Sequence, residues 1–148
     1  MDVWGMAEWS AWVSLEKARL AVPRLPGVYI ARSKLEGHVV YVGCAKERAG
    51  NGARPARGMQ GRIAKYTSGL ASGLGEAALD RALADPQWLR ERLAEVETGQ
   101  PMRAARWAKA ALARAELELC WAVTVTGNEA KALEDQVIAA LRPTLWNR

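Results

Sequence analysis

The sequence predicts a mixed α/β chain of the α+β class, with a small three-stranded antiparallel sheet flanked by helices. Two β-branched and aromatic runs, residues 27–31 and 39–43, are joined by a short polar stretch that contains Gly37. This arrangement is typical of a β-hairpin. A third run, residues 116–126, alternates apolar and polar side chains, as a strand with one face on a core does.

Helices are expected around these strands. Apolar residues at near-helical spacing predict an N-terminal amphipathic helix over residues 6–20, ended by Pro23. Asp85 followed by Pro86 indicates the start of a central helix, and Gly99 indicates its end. Further helices are predicted over residues 62–68, 103–115 and 128–141.

Length and composition are those of one globular domain, which we expect to span residues 1–148 with the N-terminal helix inside residues 1–25. The 148 residues are 50% hydrophobic and 25% charged, which excludes a disordered or collagen-like chain. No apolar run approaches the roughly 18 residues that cross a bilayer, and the N-terminus lacks the features of a secretory signal. The two cysteines suit a reducing compartment, so we expect a cytoplasmic chain without membrane contact.

The excess of positive charge lies in one segment. The net charge is +5, and residues 46–65 hold six basic residues against one acid, while the rest of the chain is balanced. Glycines without helical or strand periodicity predict a loop over much of this segment. Such a focus of charge favours a phosphate backbone as partner, although a solvated loop is the alternative interpretation. The six are Lys46, Arg48, Arg54, Arg57, Arg62 and Lys65.

Few residues are suited to catalysis. There is one histidine, no phosphate-binding glycine loop, and too few cysteines and histidines for a zinc site. Tyr29 and Tyr41 lie in adjacent predicted strands, which can place both phenols on one face. Arg62 and Tyr66 are four residues apart and therefore share a helix face. Glu134 borders the apolar stripe of the last helix, where a carboxylate should have a partner or a cation.

Five ordered segments resemble the GIY-YIG nuclease domain. Tyr29 and Tyr41 stand twelve residues apart, as the hairpin of that family requires. The family is built on a three-stranded antiparallel sheet with flanking helices. The resemblance spans residues 26–147, and a helical insert at about 70–115 lies outside it. The segments are PGVY at 26–29, VYVG at 40–43, GRIAKY at 61–66, ALEDQVI at 132–138, and Pro143 with Asn147.

The resemblance implies a divalent-metal-dependent endonuclease that hydrolyses phosphodiester bonds in DNA. It implies that Tyr29 and Tyr41 position or deprotonate the attacking water, with the choice of base left open. It implies that Arg62 contacts the scissile phosphate and that Glu134 is the single metal-binding carboxylate. Magnesium (or manganese) is the expected cofactor, since Mg²⁺ prefers oxygen ligands and accepts one protein carboxylate together with waters and substrate phosphate.

Three further residues match less constant positions of the family. Asn147 matches a C-terminal asparagine that supports the site in many members. Lys46 matches a lysine present in some, and Tyr66 stands where members carry histidine or tyrosine. We expect all three to contribute to the active site.

One spacing departs from the family pattern. Arg62 lies 21 positions after Tyr41, about twice the usual separation, so an insertion within residues 48–60 must loop out. Arg48 is therefore a second candidate for the catalytic arginine. The residues after Arg62, including Tyr66, follow the helical pattern of the family and favour Arg62.

The expected partner is DNA, contacted through the basic residues of the 46–65 segment. The sequence leaves open whether the DNA is duplex or branched, and whether RNA is also a substrate. A non-catalytic nucleic-acid-binding module on the same fold is the first alternative. A protein-interaction module that docks through the helical insert is the second.

Overall fold

The fold was analysed in a computed structural model, which describes residues 2–47, 56–68, 72–99 and 103–147. Within these ranges, four strands form one antiparallel sheet and six α-helices surround it. The strands are β1 (Val13–Ser14), β2 (Gly27–Ser33), β3 (His38–Ala45) and β4 (Leu117–Val123). The helices are α1 (Leu15–Ala21), α2 (Gly58–Thr67), α3 (Gly73–Leu83), α4 (Pro86–Glu97), α5 (Ala104–Ala115) and α6 (Gly127–Leu141). The α+β class is confirmed, but the expected three-stranded sheet has a fourth, two-residue strand.

The order of strands in the sheet is β1-β4-β2-β3, which leaves β3 at an edge. The predicted hairpin is confirmed, with Tyr29 opposite Gly43 and Ala31 opposite Tyr41. The register then shifts, so that Val40 has no partner of its own on β2. Because of this bulge, Val40 and Tyr41 both pack on the face that carries Tyr29.

Both faces of the sheet are covered. Buried residues of α1, α2, α3 and α5 pack on the face of Tyr29, and α6 packs with the N-terminal segment on the opposite face. The second face is built on Val28, Ile30 and Val42. Helices α3, α4 and α5 of the insert add a small core around Trp88.

The N-terminal helix predicted over residues 6–20 is wrong for its first half. Only α1 is helical, and it begins at Leu15 after the short strand β1. Trp9 and Trp12 pack on the α6 face of the sheet, whereas Leu15 and Ala18 pack on the opposite face. A single straight helix presents one apolar stripe and cannot cover both faces, so the chain passes from one face to the other before the helix begins.

The third predicted strand was expected to have one buried face, and both of its faces are buried. Leu117 and Leu119 pack on the side of Tyr29, and Cys120 packs in the core cluster of the opposite face. The strand ends at Val123, and Val125, predicted to face the core, is 84% exposed beyond it. The N-terminal segment with Trp9 and Trp12 adds to the cover of the second face, a long-range contact that alternation of polar and apolar residues does not reveal.

The signals for the central helix are confirmed. Asp85 is the N-cap of α4 and its carboxylate accepts a hydrogen bond from the Gln87 N–H at 3.0 Å, with Pro86 as the first helical residue. Gly99, with φ of +82°, follows the helix end. In the described part of the chain, no helix has both the length and the apolar character needed to cross a bilayer.

Replacing Gly43 by alanine is expected to destabilise the fold by about 1–3 kcal/mol, because its Cβ would collide with the buried Tyr29 hydroxyl. Gly5→Ala is the matched control, since the nearest atom to its Cβ would be an Asp2 carboxylate oxygen at 3.6 Å. Its effect should stay within about 0.5 kcal/mol. Urea unfolding of both variants measures the difference, and equal stabilities would contradict the packing described.

Candidate active site at the free edge of the sheet

A cleft of about 330 Å³ lies at the edge of β3, where the layers on the two faces of the sheet meet. Side chains from β2, β3, α2 and α6 line it, together with the start of α3. Four of them are residues that the sequence indicated: Tyr29, Tyr41, Arg62 and Glu134. Tyr66, also predicted, lines the same cleft.

The three tyrosines of the cleft form a connected chain. The hydroxyls of Tyr29 and Tyr66 are hydrogen-bonded, and their ring centroids are 5.8 Å apart. The Tyr66 ring lies 6.4 Å from that of Tyr41 in an edge-to-face arrangement. Tyr29 is 1% exposed and Tyr66 is 3% exposed, whereas Tyr41 is only partly buried. Tyr41 is therefore the phenol best placed to meet a substrate or a water molecule.

Burial raises the pKa of all three phenols above the ordinary value for tyrosine. For Tyr41, the neighbouring Tyr66 hydroxyl opposes this rise, and the negative charge of Glu134 adds to it. For Tyr66, the hydrogen bond with Tyr29 likewise lowers the pKa against the effect of burial. The phenol of Tyr41 thus lies at the open end of a tyrosine chain that begins with the hydrogen-bonded hydroxyls of Tyr29 and Tyr66.

Glycines make room for two of these hydroxyls. A Cβ atom on Gly73, the first residue of α3, would lie 2.6 Å from the Tyr41 hydroxyl oxygen. Gly43 stands opposite Tyr29 in the β2–β3 pairing, and a Cβ there would collide with the Tyr29 hydroxyl. Both tyrosines can occupy the cleft only because these positions carry no side chain.

Glu134 has the partner that its place beside an apolar stripe led us to expect. Its carboxylate accepts a hydrogen bond from the Lys131 ammonium at 2.7 Å, and the same ammonium contacts Asp135 at 2.9 Å. The hydrogen bond to Glu134 is the main reason that the pKa of Lys131 is raised. Burial, followed by the charge of Glu134, raises the pKa of the neighbouring Cys44 thiol to about 11, so this thiol stays protonated at neutral pH.

The beginning of α6 is fixed to the end of β3, which sets the position of Glu134. The Gly127 N–H donates to the Glu47 carboxylate at 2.7 Å, and the Glu129 N–H donates to the Thr126 hydroxyl at 3.1 Å. These two contacts satisfy N–H groups that a helix leaves free in its first turn. The hydrogen bonds of Glu47, with its own backbone and then with Gly127, lower the pKa of its carboxyl.

Asn147 lies against the open side of β3. Its Nδ2 donates to the Val42 carbonyl oxygen at 2.7 Å, and its Oδ1 accepts from the Val42 N–H at 3.0 Å. The preceding Trp146 N–H also donates to β3, so the tail pairs with the strand edge. Asn147 lines an adjoining pocket of about 440 Å³ that shares Tyr41 and Glu134 with the cleft. It therefore supports the cleft from outside rather than lining it.

The predicted phosphate-binding residues fall into two groups. Arg62 and Lys65, both exposed on α2, line the cleft. Lys46 is exposed where β3 ends and packs against Gly127 instead of lining the cleft. Arg57 precedes α2, and its guanidinium donates a hydrogen bond to the Gln60 Oε1 atom at 3.1 Å. Of the four described residues in this set, two line the cleft, namely Arg62 and Lys65.

Arg48 and Arg54 lie outside the described residues. The two described ends of the segment that contains them are held together, because the Gly58 N–H donates to the Glu47 carbonyl oxygen at 3.3 Å. Of the two candidate arginines, Arg62 is the one for which a place in the cleft is seen.

Sequence reasoning missed four residues of the cleft: Cys44, Ser72, Gly73 and Lys131. Lys131 precedes Glu134 by three residues, and this helical spacing is a signal that points to an ion pair. Cys44, Ser72 and Gly73 carry no comparable signal, because tertiary packing alone brings them to Tyr41 and Glu134.

Glu134 is the only carboxylate among the described residues of the cleft, and these residues include no cluster of three or more histidine, cysteine, aspartate or glutamate side chains arranged for a metal. A single carboxylate fits Mg²⁺ or Mn²⁺ when waters and a substrate phosphate complete the coordination. The Lys131 ammonium at 2.7 Å shows that the carboxylate already accommodates a cation.

Asn147→Ala is expected to loosen the edge of β3, because both hydrogen bonds to Val42 are lost. Amide hydrogen exchange of Val42 should become at least about tenfold faster, consistent with a loss of roughly 1–2 kcal/mol for two hydrogen bonds. Thr144→Ala is the control, since Thr144 is exposed and does not bond to Val42. Unchanged exchange in Asn147→Ala would contradict the pairing.

Comparison of the chain with models of protein families, with curated proteins and with solved structures found no match.

Proposed function

We propose that this chain is a divalent-metal-dependent endonuclease of the GIY-YIG type that hydrolyses phosphodiester bonds in DNA. The observation that carries the proposal is that Tyr29, Tyr41, Arg62 and Glu134 line one cleft although they come from four elements. Phosphodiester hydrolysis needs a positioned water, a cationic contact to the phosphate and an anionic ligand for a metal ion, all around one phosphorus atom. The cleft offers each of these groups.

Arg62 is the group that receives the phosphate. Its exposed guanidinium can form two parallel hydrogen bonds to phosphate oxygens, and Lys65 adds a second positive charge on the same wall. These cations stabilise the negative charge that grows on the phosphate oxygens during attack. The fixed position of Arg62 on α2 keeps the guanidinium close to Tyr41.

Tyr41 is the group that orients the attacking water and accepts its proton. It has the most exposed of the three phenols, and the neighbouring Tyr66 hydroxyl opposes the rise that burial causes in its pKa. The Glu134 charge works against that phenolate, so neutralising Glu134 lowers the pKa of Tyr41. Tyr29, buried behind Tyr66, holds the chain of hydroxyls in place.

Glu134 is the residue that would hold Mg²⁺ or Mn²⁺. When bound, the ion supplies Lewis-acid stabilisation of the phosphate and of the leaving oxygen. Asn147 contributes by fixing the strand edge next to Tyr41. Lys46 and Arg57, exposed beside the ends of β3 and α2, extend the positive surface along which a nucleic-acid backbone can lie. Both cysteines are free, which suits the reducing cytoplasm.

A non-catalytic nucleic-acid-binding module is the second candidate function, and two features of the cleft favour it. The Glu134 carboxylate is occupied by Lys131, and the pKa values of Tyr29, Tyr41 and Tyr66 are all raised. With Glu134 paired and the three tyrosines protonated, the cleft offers cations for a phosphate but no deprotonated tyrosine to act as a base. Salt-dependent binding with no cleavage of any substrate would favour this function.

Glu134→Gln and Arg62→Ala are each expected to lower the rate of DNA cleavage by about 10²–10³-fold, because each removes charge stabilisation at the phosphate. Purified protein is incubated with plasmid, nicked, flapped, branched and single-stranded DNA, and with RNA, in Mg²⁺, Mn²⁺ or EDTA. Arg90→Ala, an exposed arginine on α4, is the control for loss of charge. Cleavage that survives Glu134→Gln would contradict the role of the carboxylate.

The cleavage rate is expected to rise with pH above neutrality, because the raised pKa of Tyr41 leaves its phenolate scarce at pH 7. The phenolate fraction, and with it the rate at saturating metal, should grow about tenfold per pH unit below this pKa. Tyr41→Phe should abolish the rise, while Tyr29→Phe should keep it at a lower stability. A pH profile that is identical in Tyr41→Phe and the unaltered chain would remove Tyr41 as the base.

A further inference from the structure

Lys131 occupies the carboxylate that the proposed reaction needs. Its Nζ atom lies 2.7 Å from the Oε1 atom of Glu134 and 2.9 Å from the Oδ1 atom of Asp135. The two acids follow it by three and four residues on α6, so all three side chains share one face of the helix. Lys131 lines the cleft and also the adjoining pocket of Asn147. It stands between the two spaces.

The three partners differ in how freely they can move. The side chain of Glu134 is 13% exposed, whereas those of Lys131 and Asp135 are 52% and 62% exposed. Glu134 is therefore held by its surroundings, while Lys131 is a flexible stem with a solvated end. The ammonium can therefore swing into solvent when a divalent cation takes its place at the carboxylate.

Without a counter-cation, the mostly buried Glu134 would carry an uncompensated charge beside the Tyr41 hydroxyl and the Cys44 thiol. Asp135 gives the displaced ammonium a second carboxylate within reach, which keeps Lys131 beside the cleft after it leaves Glu134. Lys131 therefore has two carboxylate partners within reach, Glu134 and Asp135, and can keep one of them when it leaves the other.

We propose that Lys131 is a built-in counter-cation that holds Glu134 until a divalent cation replaces it, after which Lys131 stays on Asp135. This inference rests on the proposed function, because it takes Glu134 as the metal ligand. Lys131 is a positioning residue in this scheme, and it lowers the affinity of the free protein for Mg²⁺ and Mn²⁺. An ion pair with only a structural role would change stability and leave the metal affinity unaltered.

The test measures metal binding without nucleic acid. Mn²⁺ is titrated into the ¹⁵N-labelled full chain, and paramagnetic broadening of amide signals in α6 near Glu134 reports the occupancy. Lys131→Met is expected to bind Mn²⁺ about fivefold more tightly, because the ammonium no longer competes for the Glu134 carboxylate. Lys131→Gln is a second variant in case Lys131→Met fails to fold, and Lys131→Arg should resemble the unaltered chain.

Two controls separate direct competition from the general effect of charge. Arg142→Met removes a positive charge that also lines the pocket of Asn147, and it should change the Mn²⁺ affinity by less than about twofold. Glu134→Gln should abolish the local broadening. Equal affinities in the unaltered chain, Lys131→Met and Lys131→Gln would overturn the inference, as would the absence of broadening near Glu134 in all three.

The two proposals fail in different ways. Absence of cleavage on every substrate, together with the expected Mn²⁺ titration, would remove the endonuclease function and leave the role of Lys131 at a metal site. Cleavage that depends on Glu134, together with equal Mn²⁺ affinities, would keep the function and remove the role of Lys131.

Discussion

The antiparallel pairing of β2 with β3 decides where each aromatic residue of the cleft lies. Its register sets Tyr29 opposite Gly43 and Tyr41 opposite Ala31, so both phenols lie on one face, and the bulge adds Val40 to that face. A shift of β3 by one residue would turn Tyr41 to the face opposite Tyr29, because side chains alternate between the faces of a strand. The tyrosine chain, and through it the position of Tyr66 on α2, depends on this register.

The edge position of β3 explains how groups from opposite faces of the sheet reach one cleft. Tyr41 and Arg62 belong to the layer of α2, whereas Glu134 belongs to α6 on the other face. In the centre of the sheet, the backbone would separate them by the thickness of a layer. At a free edge the two layers meet, and the tail with Asn147 covers part of that edge by pairing with β3.

Burial gives the cleft its electrostatic character. Tyr29 and Tyr66 are held neutral in the core, where loss of solvent disfavours their charged forms. Glu134 pairs with the Lys131 ammonium at 2.7 Å. The described cleft therefore has two exposed cationic side chains on α2, Arg62 and Lys65, and a carboxylate that is paired with a third cation.

The sequence by itself determined the hairpin and the central helix from Asp85, because local propensity and capping act within a few residues. It marked the tyrosines, the arginine and the glutamate as candidates, with their roles taken from the resemblance to a family. The non-helical path of residues 6–14, the second buried face of β4 and the cleft residues Cys44, Ser72 and Gly73 were decided only by the tertiary structure. Each of these depends on which layer packs on which side of the sheet. That choice arises from contacts between residues far apart in the chain, which no local pattern of side chains encodes.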